Sequence, residues 1–296
     1  MRYEFDFLVI GSGIAGLSFA LKVAEYGKVC VLTKADASEG STKYAQGGIA
    51  AVMYDSDSFD RHISDTLVAG DGICDEEVVR MTICEAPNRI KELVRYGVNF
   101  DKNSDGSFDL HREGGHSDHR ILHHKDSTGA EVERGLLQEV KNHPNIIIKE
   151  NQYAVDLITQ HHLGIRVTRH TPDIVCYGVY VLNSETHKVD TYLAKVTLLA
   201  TGGLGNVYAT TTNPVIATGD GVAMVLVVCC KIWSLCSFTQ QVYTIRKNVR
   251  HSSSPKLCVG QGLYSKTLKV TSLCKNMMSE NHLPHAISWH APSTMR

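Results

Sequence analysis

Apolar and polar positions alternate between two periods along the first 225 residues, and the switching marks an α/β chain. Phe7-Leu8-Val9-Ile10 is a continuous apolar run, the pattern of a strand buried on both faces of a parallel sheet. From Leu17 to Tyr26 the period becomes helical, and Val29-Cys30-Val31-Leu32 follows as a second strand at βαβ distance. Residues 59–97 read as helices. Their second part, Glu76 to Tyr96, carries Val78, Val79, Ile83, Ile90, Leu93 and Val94 on one side, with Asp75 as N-cap and Gly97 as stop. Asn103 to Gly106 marks a turn, and Thr128 to Lys141 a further helix. Ile146–Ile148 and Tyr153–Ile158 read as strands, and Val175–Leu182 with Lys188–Ala194 as a hairpin. A buried strand from Lys195 ends in Gly202-Gly203, and Gly219 to Met224 passes from loop to helix.

The first chemistry lies between strand and helix. Gly11-Ser12-Gly13-Ile14-Ala15-Gly16 has GxGxxG spacing: Gly11 allows the tight turn, Gly13 lets backbone approach a pyrophosphate, and Gly16 lets helix and strand pack closely. A helix N-terminus with unpaired amides suits a phosphate. GxGxxG alone also fits a structural glycine turn, but the strand–turn–helix–strand context favours a dinucleotide. Where such folds place an acidic residue for a ribose hydroxyl, this chain has Lys34, which counts against an ordinary NAD dehydrogenase. Lys34 is read either as a partner for phosphate or adenosine, or as a solvated surface cation.

Two loops are rich in polar groups. The run Ser41-Thr42-Lys43-Tyr44-Ala45-Gln46-Gly47-Gly48 sets backbone donors against a flat polar ligand, or simply connects two elements. His111 to Arg120 contains Glu113-Gly114-Gly115-His116, followed by His123 and His124. No histidine pair there comes with a third ligand at metal-site spacing, so no metal site is expected. The loop either presents Glu113 or His116 to a substrate or is merely solvated.

These motifs, in this order, resemble the flavoproteins related to fumarate reductase and succinate dehydrogenase, nearly continuously from Asp6 to Met224, and most of all the L-aspartate-oxidising members. The resemblance implies a Rossmann-like FAD-binding domain over residues 1–225, a parallel sheet with flanking helices and a small β-meander, incomplete within this chain. It implies Ser12 to Ala15 at the FAD pyrophosphate, Lys34 at the adenosine, Ser41 to Gly48 along the isoalloxazine, Tyr153 and Ala154 on the adenine side, Asp220 at the ribityl chain, and Glu113 at the substrate. Membrane-bound relatives carry a flavin-linked histidine where Ser41 stands, so the implied FAD is non-covalent and the implied substrate L-aspartate, with oxygen or fumarate as acceptor. A functional link to quinolinate synthase is also implied. A soluble fumarate reductase-like dicarboxylate oxidoreductase and an inert FAD-binding fragment are the alternatives. The resemblance assigns no catalytic residue here, because the family's proton-shuttling arginine lies beyond Met224.

Net charge and cysteine usage change the picture only in the tail. The chain has 296 residues and a net charge of −1, but residues 1–225 hold 30 acidic against 21 basic side chains, whereas residues 226–296 hold Glu280 alone against nine Lys and Arg. The same tail holds five of the nine cysteines, none with CxxC spacing. A basic tail suggests nucleic acid or a membrane surface. A sharper reading is a slipped frame. With a permitted codon set, Ile232–Gln241 read at an offset gives Met-Glu-Phe-Val-Gln-Phe-His-Pro-Thr, and His285–Met295 at the same offset gives Pro-Arg-Asp-Ile-Val-Ala-Arg-Ala-Ile-Asp-Asn, two segments expected of the family. Residues 226–296 are therefore expected to be a non-native, disordered replacement for the substrate-capping domain, with no nucleic-acid or membrane partner. With no signal peptide before Asp6 and no apolar run of about 18 residues, a soluble cytoplasmic protein is expected.

Overall fold

The computed structural model describes residues 1–165 and 174–228, so the expectations for the tail beyond Val228 lie outside the described residues. In chain order the elements are β1 (Arg2–Ile10), α1 (Ile14–Val23), β2 (Val29–Leu32), β3 (Ile49–Ala50), α2 (Phe59–Ala69), α3 (Glu76–Arg95), β4 (Leu110–His111), β5 (Ile121–Leu122), α4 (Thr128–Asn142), β6 (Ile146–Lys149), β7 (Gln152–Thr159), β8 (Cys176–Asn183), β9 (Lys188–Leu199) and α5 (Asp220–Val228). Six strands form one sheet in the order β6-β2-β1-β9-β8-β7, and β3, β5 and β4 form a second, small sheet. The four strands β6, β2, β1 and β9 run parallel, and β7, β8 and β9 form an antiparallel meander. The sheet is thus mixed, parallel over four strands with an antiparallel meander at one edge.

The alternation of the central strand explains its continuous apolar run. Phe7 and Val9 pack on one face with Leu17, Val23, Leu136 and Val140 of α1 and α4. Leu8 and Ile10 pack on the other face with Leu157, Val179, Val181 and Met224. A strand covered on both faces has no position left for a polar side chain.

The structure differs from the sequence pattern at two places. The strands expected at Lys188–Ala194 and from Lys195 are one twelve-residue strand, because no turn residue separates Ala194 from Lys195. Its outer half pairs antiparallel with β8 while its length pairs parallel with β1, from Arg2↔Thr191 to Ile10↔Leu199. That second pairing also extends β1 back to Arg2. The small sheet has strands of two residues, too short to carry a period. Helix limits follow their caps: the Asp75 carboxylate accepts the Val78 amide at 3.2 Å, and Gly97 takes φ +80° past the end of α3. Among the described residues no helix is long and apolar enough to cross a membrane.

The strand order fixes where a ligand can lie. The Gly11 amide donates to the Leu32 carbonyl at 2.8 Å and the Ala200 amide to the Ile10 carbonyl at 2.8 Å, so the carboxyl ends of β2, β1 and β9 stop side by side. Gly11 sits at φ +112°, and a Cβ there would lie 2.2 Å from the Ala200 carbonyl oxygen. Gly40 has open space around it. Gly11→Ala should therefore lower unfolding stability by roughly 1–3 kcal/mol or more, and Gly40→Ala should be close to neutral, as read by urea denaturation of the two variants.

Candidate functional site

Beyond the carboxyl ends of β1, β2 and β9 the chain encloses a cavity of about 660 Å³. Cavities of roughly 300–1,000 Å³ hold cofactor-sized ligands. The first wall is the β1–α1 turn. Gly11, Ser12, Gly13, Ile14 and Ala15 line it. Gly16 does not, because it is spent on packing: a Cβ there would meet the Gly11 carbonyl oxygen at 2.0 Å and Val9 at 3.2 Å. Gly13 is the opposite case, with only the Thr42 hydroxyl within reach of a Cβ, at 3.3 Å. The Thr42 hydroxyl also accepts the Ile14 amide at 3.1 Å, which satisfies one of the open amides at the start of α1.

The second wall is the 41–48 loop. Ser41, Thr42, Tyr44, Ala45, Gln46, Gly47 and Gly48 line the cavity, whereas Lys43 points away and pairs with Glu39 at 3.6 Å. The Tyr44 phenol donates to the same carboxylate at 3.0 Å. Helix α4 closes against this loop: the Gly129 amide donates to the Ala45 carbonyl at 2.9 Å, and a Cβ on Gly129 would lie 2.0 Å from the Thr42 carbonyl oxygen. Gly48 has a packing duty as well, since a Cβ there would lie 2.3 Å from the Leu122 carbonyl oxygen.

Tyr153 and Ala154 at the start of β7, and Thr201 to Gly203 after β9, complete the rim, with Gly202 at φ +72°. Lys34 and Asp220 also line the cavity, and they meet. The Lys34 ammonium donates to the Asp220 carboxylate at 2.5 Å and to the Thr218 hydroxyl at 2.6 Å, tying the end of β2 to the start of α5. Burial raises the Asp220 pKa, but these hydrogen bonds outweigh it and hold the carboxyl below its usual range. The resemblance sets the two residues at different parts of the cofactor, whereas here they are one ion pair. The sequence reading missed the contributions of α3 and α4, whose residues Thr82, Glu85, Arg89 and Val132 also line the cavity. Helical periodicity shows that a face is apolar but not what it faces.

Glu113 lies off the cavity wall, half-buried in the loop between β4 and β5. That loop hangs on Arg120, which is fully buried. Its guanidinium binds Asp57 with two hydrogen bonds of 2.7 Å and Asp65 with one of 2.6 Å, and Asp65 accepts the Ser117 amide and hydroxyl at 2.8 Å each. Arg120 Nη1 is 3.3 Å from His116 Nδ1. The network fastens the loop to α2. Burial, with the Arg120 charge second, pushes the His62 imidazole down to about 4 and lowers His116 as well. The sequence signal for Arg120 was an arginine directly before the apolar pair Ile121-Leu122.

A second buried acid stands on α4. Glu133 is 3% exposed, one carboxylate oxygen has no hydrogen-bond partner, and burial pushes its pKa up to about 8 against the pull of Lys43.

A family model described as an FAD binding domain matches residues 6–291. L-aspartate oxidase 2-b, chloroplastic, of Nicotiana tabacum is 52% identical over 223 residues, covering 75% of this chain and 33% of the relative. The L-aspartate oxidase of Yersinia pestis is 48% identical over 234 residues, covering 78% and 43%. The matched part of this chain thus spans about a third to two fifths of the length of these relatives. Among solved structures, E. coli quinol fumarate reductase FrdA matches with a TM-score of 0.69 at 29% identity, over 77% of this chain and 37% of that one. A Mycobacterium smegmatis Sdh1 complex matches with a TM-score of 0.68 at 30% identity, over 77% and 39%.

Arg120→Met should leave the Asp57 charge buried without its partner and cost about 3–5 kcal/mol, read as a shift of the denaturation midpoint. For Glu133, a folded pKa near 8 against 4.5 unfolded means that the folded state holds the extra proton between those values, so stability falls as pH rises from about 4.5 to 8. Glu133→Gln should flatten that part of the stability–pH profile, with its gain over the parent largest at pH 8 and absent below pH 4.5.

Proposed function

The chain belongs to the FAD-binding domain family, and we propose that FAD occupies this cavity and that the chain descends from an FAD-dependent oxidase of L-aspartate, forming iminoaspartate. The observation that carries the reading is the cavity itself. Two glycine turns, after β1 and β9, line one cavity with the start of α1, and relatives named L-aspartate oxidase are 48–52% identical over the 223–234 residues that align. When bound, FAD supplies the two-electron acceptor.

The chain's own residues do the holding. Open amides at the start of α1, with the positive end of the helix dipole, suit the pyrophosphate between Ser12 and Ala15. Lys34 and Asp220 satisfy each other until ligand hydroxyls or phosphate oxygens take over their hydrogen bonds. Ser41 offers a hydroxyl where a covalent flavin needs an imidazole, so the cofactor is held without a bond to the chain. Arg120, with His116 buried against it, holds the loop that would present Glu113 toward substrate.

The substrate-clamping segments of the family are expected where residues 226–296 stand. On the slipped-frame reading, residues 226–296 stand in place of the Glu-Phe-x-Gln-Phe-His-Pro-Thr and Pro-Arg-Asp segments, so this chain binds flavin and turns over little or no aspartate. The fumarate reductases among the structural matches favour one second reading, a dicarboxylate oxidoreductase acting on succinate or fumarate.

The coding DNA between the codons for Ile232 and Gln241 should permit the slipped reading; codons incompatible with it refute the slip. Aspartate-dependent peroxide release should stay at background for the protein as written and appear in a frame-corrected version. Equal turnover of the two versions overturns the proposal, and oxidation of succinate instead of aspartate by the corrected one selects the second reading. Denaturation should release all flavin; colour left on the chain would mean a covalent link.

A further inference from the structure

One further buried imidazole beside the β4–β5 loop has no duty in the cofactor cavity. His123, directly after β5, is 7% exposed, and neither ring nitrogen makes a hydrogen bond. Two orphaned ring nitrogens at that depth are costly unless something else is meant to meet them.

Its surroundings show what that is. Backbone bonds from Asp101 to the His123 carbonyl (2.9 Å) and from Asp109 to the Asp101 carbonyl (3.0 Å) set three chain segments side by side. His123 Nδ1 lies 3.2 Å from the Asp101 carboxylate, and Nε2 turns the other way, 3.6 Å from the Asp109 carboxylate. His111 Nε2 lies 3.7 Å from the same Asp109 oxygen, and its ring stacks on that of His123 with centroids 3.6 Å apart. The three donor atoms of Asp109, His111 and His123 all lie within 4.8 Å of one another.

The two separations from the Asp109 oxygen, 3.6 and 3.7 Å, exceed a hydrogen bond of about 2.7–3.2 Å. They approach the spacing of roughly 3.4 Å between ligands on a tetrahedron with bonds of about 2.1 Å. A carboxylate on one imidazole nitrogen, with the other nitrogen facing a second carboxylate and a second imidazole, is the arrangement by which proteins orient a metal-ligating histidine. Asp101 is itself held, accepting the Lys125 amide at 2.7 Å. His111 and Asp109 are partly exposed, so ions have an entry path and solvent can fill the remaining coordination position.

We infer that Asp109, His111 and His123 form a binding site for a divalent transition-metal ion such as zinc, with Asp101 orienting His123 from behind. Two imidazoles and one carboxylate suit zinc, cobalt or nickel better than calcium or magnesium, which prefer all-oxygen sets. Spacing along the chain carries no such signature, because the site is assembled from Asp-x-His at β4 and a histidine directly after its antiparallel partner β5.

The test is a Co²⁺ titration of the chelator-treated full chain, followed by its d–d absorption. That spectrum separates nitrogen and oxygen ligation from binding to the nine cysteines, which would add a thiolate charge-transfer band. One equivalent should bind with no thiolate band. His111→Ala and Asp109→Asn, both at partly exposed positions, should each weaken binding at least tenfold while far-UV circular dichroism stays unchanged. Asp101→Asn keeps an acceptor for the Lys125 amide and should weaken binding about 10–100-fold. His161→Ala, in the other histidine pair beside an aspartate, should leave binding unchanged. No uptake, a thiolate spectrum, or affinity unaffected by both His111→Ala and Asp109→Asn overturns the inference. The test reads metal alone and stands apart from the flavin reading.

Discussion

Everything in this molecule depends on how closely three strand ends approach at Gly11. The strand β1 lies between β2 and β9, and all three stop at one level, so the chain leaving β1 must turn within the thickness of its neighbours. Only a residue without a Cβ fits 2.2 Å from the Ala200 carbonyl at φ +112°. The same crowding aims the start of α1 and the loop after β9 into one space. The cavity is thus a consequence of sheet order: a ligand lies where parallel strands end and helices begin, since open amides and space coincide there.

A second constraint is electrostatic. Arg120 is buried completely and survives there because two carboxylates take its charge with hydrogen bonds of 2.6–2.7 Å. Such a triad adds little net stability over a well-packed apolar one, but it specifies geometry. Here it fastens the His111–Arg120 loop to α2, which leaves that loop's histidines and Glu113 in defined places although only four residues of regular strand flank it. The Lys34–Asp220 pair does similar work at the cavity edge, joining elements 186 residues apart.

Residue types and local period made much of this readable beforehand. The runs at Phe7–Ile10 and Val29–Leu32, the cap at Asp75 and the glycine spacing each depend on neighbours within a few positions, and each appears in the fold. Sixteen of the cofactor-facing residues read from the sequence line the cavity, because the turn and the 41–48 loop are continuous segments. Gly16 and Lys43 stand off it for reasons that only neighbours in space supply: Gly16 is filled by the Gly11 carbonyl, and Lys43 turns to Glu39. The merging of two expected strands into β9 has the same origin, a partner strand more than 180 residues away.

By itself, the sequence determined the α/β class, the dinucleotide turn, the flavoprotein resemblance and the break in character after residue 225, since all of these are written in contiguous residues and their composition. Tertiary structure alone decided which long-range partners meet: Arg120 with Asp57 and Asp65, Lys34 with Asp220, and His123 with Asp109 and His111. Those pairings join residues from separate elements, and their distances are set by strand register and loop path, which no local period encodes.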